Sequence, residues 1–121
     1  RRSPLNHEAL AARRMPRFRE LEACSIPSQS FPRKAIRRGQ HAEAMNAYWM
    51  TTIKPLVELL RMRHSPVRWD FRMRYLDRDL PASVYDQVRD LAFVHDLKDL
   101  EAKLAIASAW GATLLGELRS A

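Results

Sequence analysis

Hydrophobic side chains recur at helical spacing along most of this chain. From Gln40 to His64 they fall three or four residues apart, at Ala44, Tyr48, Ile53, Leu56, Leu59, Leu60 and Met62. A second stripe fills the last quarter, at Leu97, Leu100, Leu104, Ala107, Trp110 or Gly111, Leu114 and Leu118. No β-strand is predicted. The pattern predicts an all-α fold, a bundle of four or five helices.

Turn-forming residues set the predicted helix boundaries in the first third. Short helices are expected at Asn6–Arg14 and Arg33–Arg38, and Gly39 ends the second. Serines and prolines make Cys24–Pro32 a predicted loop between them. We therefore divide the chain into a basic N-terminal helix and loop, residues 1–32, and a helical bundle, residues 33–121.

Later boundaries depend on proline and aspartate. Pro55 lies inside the long stripe and predicts a kink there, or a restart capped by Thr51 or Thr52. Asp79 precedes Leu80-Pro81 and is expected to cap the next helix. Asp96 and Asp99 are spaced like a capping box at the start of the last helix.

Charge is uneven along the chain, whose 121 residues have a formal net charge of +7. Residues 1–39 contain ten Lys and Arg against three Glu, whereas residues 40–121 contain eleven basic and eleven acidic residues. A basic N-terminal arm and one internal basic patch therefore carry the surplus. This distribution is typical of a solvated basic face, and the alternative is a basic helical module that binds nucleic acid.

Cysteine content and hydropathy indicate the compartment. The chain has one cysteine, Cys24, so no disulfide forms within it, and a reducing cytoplasm is expected. No apolar run approaches the roughly 20 residues that span a bilayer, and no signal-peptide pattern precedes the first helix, so no membrane partner is expected. The chain begins with Arg1, which suggests processing, truncation or a longer product.

The segment Arg61–Pro81, called the arginine segment below, has the most unusual composition. It contains six arginines and three aspartates among aromatic side chains that include Trp69 and Tyr75. Arginine forks beside aromatic rings bind phosphate and stack on bases or sugars. Two interpretations remain open: a binding surface, or a structural network in which the aspartates pair with the arginines and the rings fill the core.

Catalytic and metal-binding motifs are scarce. The four histidines are scattered along the chain. The acidic pairs Asp77/Asp79 and Asp96/Asp99 could bind Mg²⁺, but Asp79 and Asp96 are better explained as helix caps. No metal site is therefore predicted. No phosphate-cradling glycine loop or nucleophile elbow is present. Arg89 and His95 have the spacing found in HEPN-type RNases, where arginine holds phosphate and histidine transfers protons. That spacing leaves an RNase as a further alternative.

From Phe31 onward, about three-quarters of the chain, several segments carry a resemblance to a known family: Lys34–Gly39, Pro55–Arg61, Pro66–Phe71 and Arg74–Pro81, followed by Phe93-Val94 and an acidic, leucine-rich last helix. With these segments the sequence resembles the C-terminal helical domain of bacterial nucleotidyltransferase-domain proteins, the family of the aminoglycoside nucleotidyltransferases. Relatives have glycine after the Asp-Phe pair, whereas this chain has Arg72. That departure argues against a tight backbone turn at this position.

The resemblance implies a substrate-recognition and packing domain whose catalytic partner lies outside this chain. In the family, an α/β domain with a Gly-Ser motif and Mg²⁺-binding carboxylates transfers a nucleoside monophosphate to a hydroxyl acceptor. This chain has no Gly-Ser pair, so no catalytic residue carries over, and the chain alone is expected to be inactive and to bind no cofactor. Mg²⁺, a nucleoside triphosphate, a small hydroxyl-bearing acceptor and the catalytic domain are the implied partners. The resemblance places five residues near the substrate cleft: Arg68, Asp70, Arg74, Tyr75 and Asp77.

Overall fold

Every regular element of the protein is helical in the part of the chain that the structure describes. The computed structural model describes residues 4–120, and their side chains except those of residues 4–13 and 26–29. The α-helices are α1 (Pro4–Arg37), α2 (His41–Tyr48), α3 (Lys54–His64), α4 (Leu76–Asp79), α5 (Ala82–Ala92) and α6 (Leu97–Ser120). A π-helical turn, Trp49–Ile53, joins α2 to α3, and a 3-10 turn, Pro66–Arg68, follows α3. The all-α prediction is confirmed.

Helix α1 is continuous through the segment that the sequence predicts as a loop. The predicted loop at Cys24–Pro32 is therefore wrong, and the proposed division at residue 32 falls inside this helix. A proline in a helix costs about 3 kcal/mol. Burial of Phe18, Leu21 and Ala35 under the rest of the bundle opposes that cost, because each large apolar side chain buried contributes about 1.5–3 kcal/mol. Tertiary packing thus overrides the local preference for a loop.

Gly39 ends α1 as predicted. Its φ of 68° lies in the left-handed region that glycine adopts without steric cost. Its N–H donates to the Ile36 carbonyl at 3.0 Å, and the Gln40 N–H donates to the Ala35 carbonyl at 3.0 Å. This pair of bonds is a Schellman motif, which satisfies the last carbonyls of α1 and turns the chain into α2.

Pro55 is accommodated by the π-helical turn. The residue has no N–H, and just before it the Lys54 N–H donates to the Trp49 carbonyl, five residues back. Thr51 does not cap a new helix, because its hydroxyl donates to the Ala47 carbonyl at 2.7 Å, and α3 has no side-chain cap. The predicted capped restart is wrong, and residues 41–64 are helical throughout.

The core lies between α3 and α6, with α1, α2 and α5 around them. Leu56 and Leu60 of α3 and Leu100 and Leu104 of α6 are all buried, as the two apolar stripes predict. Tyr48 is fully buried and donates its hydroxyl to the Leu91 carbonyl at 2.7 Å, which ties α2 to α5. No helix within residues 4–120 has the length and apolar content needed to cross a bilayer.

Candidate functional site

A buried arginine organises the arginine segment. Arg61 is fully buried in the last turn of α3, and its Nη1 lies 2.7 Å from Oδ2 of Asp79. Its guanidinium also donates to three backbone carbonyls, those of Arg68 at 3.3 Å, Arg72 at 2.5 Å and Arg74. A buried charge is tolerated only when it is paired and hydrogen-bonded, and Arg61 meets both conditions. We call this arrangement the Arg61 clamp.

Asp79 is part of the clamp and is not a helix cap. The residue before α5 is Pro81, and that helix has no side-chain cap, so the capping prediction for Asp79 is wrong. Its carboxylate turns inward instead, with Oδ2 on Arg61 and Oδ1 2.9 Å from Nη1 of Arg68. A buried guanidinium without a counter-charge would destabilise the fold by more than the stabilisation of about 1 kcal/mol that a helix cap contributes.

Two residues in left-handed conformations bend the backbone around Arg61. Arg72 has a φ of 58° and Tyr75 a φ of 59°, which costs a non-glycine residue roughly 1–2 kcal/mol each. These turns bring the carbonyls of residues 72 and 74 onto the guanidinium of Arg61. The tight turn that Arg72 argued against is therefore present, and the Arg61 clamp stabilises it.

The arginine segment has an inner and an outer side. On the inner side, Trp69 and Leu76 are buried in the core. On the outer side, the guanidinium of Arg68 lies 5.7 Å from the ring centroid of Phe71. Those of Arg74 and Arg78 lie 5.8 Å and 5.4 Å from the ring centroid of Tyr75. The inner side is a structural network, as one of the two interpretations expects, and the outer side displays guanidinium groups beside rings.

The five residues that the resemblance places near a cleft are all exposed on the arginine segment: Arg68, Asp70, Arg74, Tyr75 and Asp77. Arg68 is held by Asp79 and Phe71, and Asp70 also interacts within the chain. Arg74 differs from both, because it lines a groove as well as stacking on Tyr75.

That groove, called the basic groove below, has a volume of about 650 Å³. It runs between the arginine segment and the helical face made by the π-helical turn and α3. Its walls are Arg17, Met50, Lys54, Pro55, Val57, Glu58, Phe71, Arg72, Met73 and Arg74. Met50 and Met73 are 51% and 38% exposed, which leaves apolar surface beside the charges.

Positive charge predominates in the basic groove. Arg17 neutralises Glu58 through two bonds of 2.7 Å, and the hydrogen bond to Glu58 raises the pKa of Arg17. Within the part of the chain that the structure describes, Lys54, Arg72 and Arg74 have no carboxylate within ion-pairing distance. Three cations therefore line the groove with no counter-ion from the described residues, an arrangement suited to an anionic ligand.

Sequence reasoning did not identify Lys54, Met50 or Arg17 as parts of this site. The spacing of residues 50, 54 and 58 puts their side chains on one helical face, a signal that was available. The position of that face opposite residues 71–74 depends on the Arg61 clamp, which the sequence does not reveal.

Arg89 and His95, the pair with RNase-like spacing, are at the end of α5 and just beyond it. The guanidinium of Arg89 lies 3.6 Å from Asp86 and 3.9 Å from Asp90, and its side chain is about half exposed. The backbone N–H of His95 donates to Asp99 at 2.9 Å. Local carboxylates thus hold Arg89, and the His95 backbone is part of a helix cap.

Asp96 and Asp99 are engaged in structural contacts at the start of α6. The Asp99 N–H donates to Oδ1 of Asp96 at 2.8 Å, so the predicted cap at Asp96 is confirmed, and the Asp99 carboxylate accepts from the N–H of His95, one residue earlier than in a standard capping box. The His95 N–H, and Lys103 at 3.1 Å, lower the pKa of Asp99. The described residues contain no group of three or more His, Cys, Asp or Glu side chains placed to hold a metal ion together.

Comparison with known proteins identifies no relative of this chain. No protein-family model, curated protein or solved structure matches this chain.

Proposed function

We propose that this chain is a helical substrate-recognition and packing domain of a nucleotidyltransferase, and that its basic groove binds the phosphate-bearing substrate. The observation that supports this most is a set of three cations along one groove, Lys54, Arg72 and Arg74, that have no counter-ion among the described residues. The resemblance of the arginine segment to the helical domains of that family gives the class of enzyme.

The electrostatics of the groove favour a nucleoside triphosphate. A polyphosphate presents several charged oxygens, and guanidinium groups bind such oxygens in bidentate geometry. Arg72 and Arg74 sit on a backbone that the Arg61 clamp already holds, so less conformational entropy is lost when a ligand binds. The positive charge of the groove and the preorganised backbone of Arg72 and Arg74 both favour binding of a polyphosphate.

The apolar wall of the groove suits the uncharged part of such a ligand. Met50 and Met73 are exposed, and Phe71 is half-buried beside them. A flexible thioether adapts to a planar ring, and an aromatic face stacks on one. A nucleotide has both of the features that the groove offers, an anionic chain and a flat apolar ring.

The role proposed for this chain is binding and not chemistry. It has no Gly-Ser motif and no paired metal-binding carboxylates on a strand within the described residues. Transfer of a nucleoside monophosphate to the hydroxyl acceptor, with the Mg²⁺ that it requires, belongs to the catalytic domain in this proposal. The groove would orient the substrate at the boundary between the two domains.

Calorimetric titration of ATP into the protein at low ionic strength tests the proposal. A charge-assisted hydrogen bond contributes about 1.5–3 kcal/mol, so Lys54→Ala and Arg72→Ala should each weaken binding about tenfold or more. Lys98→Ala and Arg33→Ala are matched controls, because each removes one exposed positive charge outside the groove. No measurable binding, or equal weakening by the controls, would refute the proposal.

A second candidate function, binding of single-stranded nucleic acid, is supported by the end of α1. Arg33, Lys34 and Arg37 are all exposed there, in the basic N-terminal region. In that case a DNA oligonucleotide should bind with an affinity that falls steeply with salt, and Arg33→Ala should weaken it. Weak DNA binding that Arg33→Ala leaves unchanged would remove this candidate.

A further inference from the structure

The longest stretch of the chain without a charged side chain lies in α6. Residues 104–116, between Lys103 and Glu117, include no Asp, Glu, Lys or Arg, although these four types make up 29% of the chain. On the side of α6 away from the core, the side chains are both exposed and uncharged: Ala102, Ala105, Ile106, Ala109, Ala112 and Thr113. They recur every three or four residues, so they lie on one face, called the α6 face below.

The α6 face differs from the exposed side of a typical helix, which carries charged side chains. The exposed side of α5 has them, at Asp86, Arg89 and Asp90. On the α6 face, by contrast, Ile106 is 58% exposed among alanines. Single exposed apolar residues are common, whereas a continuous apolar face usually marks a contact with another molecule.

The apolar surface continues onto the two helices beside α6. On one side, Ala112 lines a cavity together with Cys24 of α1, and both Cys24 and Ala23 are exposed. On the other side, Ile106 lines a cleft of about 300 Å³ together with Leu91 of α5. The surface therefore includes parts of three helices, which is the width that a protein partner contacts.

The charges at the two ends of the α6 face match those of a second copy in antiparallel orientation. Lys103 and Glu117 are equally far from Trp110 along the helix, and so are Glu101 and Arg119. The second pair is about five turns apart, so both its members lie on the same side of α6. Two α6 helices that pack antiparallel about Trp110 bring opposite charges together at both ends, whereas a parallel pair brings each charge against its own copy.

We propose that this protein forms a symmetric dimer in which the α6 faces of two copies pack antiparallel. A face without charges is complementary to itself, so a second copy covers it without burying an unpaired charge. The small alanine side chains allow the two helix axes to approach closely. The α6 face is made of other residues than those that line the basic groove, so the dimer leaves the groove open.

The charges at the ends of the α6 face set the orientation of the dimer more than its affinity. Within one chain, Lys103 lies 3.1 Å from Asp99, and Arg119 lies 2.5 Å from Glu22. Exposed ion pairs of this kind contribute little to stability, so Lys103 and Arg119 can share a carboxylate of the partner at little cost. Complementary charges at the rim of an interface mainly exclude the wrong orientation.

Size-exclusion chromatography with light scattering tests the proposal over about a hundredfold range of concentration. A species with twice the mass of one chain should form as the concentration rises, with a reducing agent present because the exposed Cys24 could otherwise cross-link two copies. Ala109→Arg, at the centre of the α6 face, should weaken the dimer at least about tenfold, because it buries two like charges together. Ala42→Arg adds the same charge at an exposed alanine of α2 and should leave the dimer unchanged. Thermal melts establish that the variants fold, and Ala105→Arg replaces Ala109→Arg if that variant does not.

Charge reversal tests the antiparallel orientation separately. Lys103→Glu and Glu117→Lys should each weaken the dimer about tenfold at low salt, because each change sets like charges opposite one another twice in the symmetric dimer. The double variant should restore the dimer. Residues 103 and 117 are about 21 Å apart on one helix, so only the partner's residues can account for that recovery.

Three results would overturn the proposal. The first is a monomer at every concentration, which would leave the α6 face to a different protein. The second is an Ala109→Arg variant that dimerises like the unmodified chain. The third is a double charge-reversal variant that dimerises no more tightly than the single variants.

Discussion

The residue on which the candidate site depends most is Arg61, a fully buried cation held by one carboxylate and three carbonyls. Arg63, two residues further along α3, is exposed, so one of these two arginines is buried and the other faces solvent. Helical phase does not separate them, because Arg61 follows the buried Val57 by four residues and Arg63 follows the buried Leu59 by four. Composition alone cannot make this distinction, since it counts both arginines equally.

Removal of the carboxylate in the Arg61 clamp should destabilise the protein strongly. Breaking a buried ion pair on one side leaves an uncompensated charge, so Asp79→Ala should cost about 3–5 kcal/mol in the free energy of unfolding. Urea unfolding measures this cost. Asp77→Ala is the matched control on the same short helix, and as an exposed substitution it should change stability by less than about 0.5 kcal/mol. Similar small effects from both substitutions would disprove the clamp.

Tyr48 should make stability depend on pH in the alkaline range. Burial raises its pKa above the usual value of 10.0, so the folded protein keeps a proton that the unfolded chain loses. Stability is therefore fully present below about pH 10 and falls by up to about 1.4 kcal/mol per pH unit above it. Tyr48→Phe should flatten this decline in urea unfolding, whereas Tyr75→Phe, at an exposed ring, should keep it. An unchanged slope in Tyr48→Phe would contradict the assignment.

At the scale of elements, regular apolar spacing predicted α3 and α6 and their buried faces correctly. Local breakers misled the prediction in α1 and at Pro55, because the packing of Phe18, Leu21 and Ala35 and the π-helical turn both depend on distant neighbours. Single-sequence reasoning detects the cost of a proline but not the tertiary contacts that offset it.

The three glycines provide a test of helix energetics. Gly111 and Gly116 lie within α6 with open space around each absent Cβ, so each change to alanine should stabilise the protein by about 0.5–1 kcal/mol. Gly39 has equal space but a φ of 68°, so Gly39→Ala should destabilise it by about 1 kcal/mol. Thermal unfolding of the three variants measures the effects. The same sign for all three would show that the backbone at Gly39 differs from this description.

At the scale of the whole molecule, the basic groove forms where α1, the long helix 41–64 and the arginine segment meet. The sequence indicated one of its walls, through the arginines and rings of residues 61–81. The opposite wall could not be predicted, because it depends on how the Arg61 clamp holds residues 71–74 against Met50 and Lys54. Local patterns therefore drew attention to residues 61–81, and Arg74 is the one of the five predicted site residues that lines the groove.

Mapping of backbone amide NMR shifts during an ATP titration tests the central claim most directly, because it locates the ligand residue by residue. The account predicts that the largest shifts cluster at residues 50–58 and 71–74, and that inorganic triphosphate reproduces the part of this pattern nearest the cations. Adenosine alone should bind far more weakly, since it lacks the charges. Shifts centred on α5, or no saturable shifts at low salt, would contradict the account.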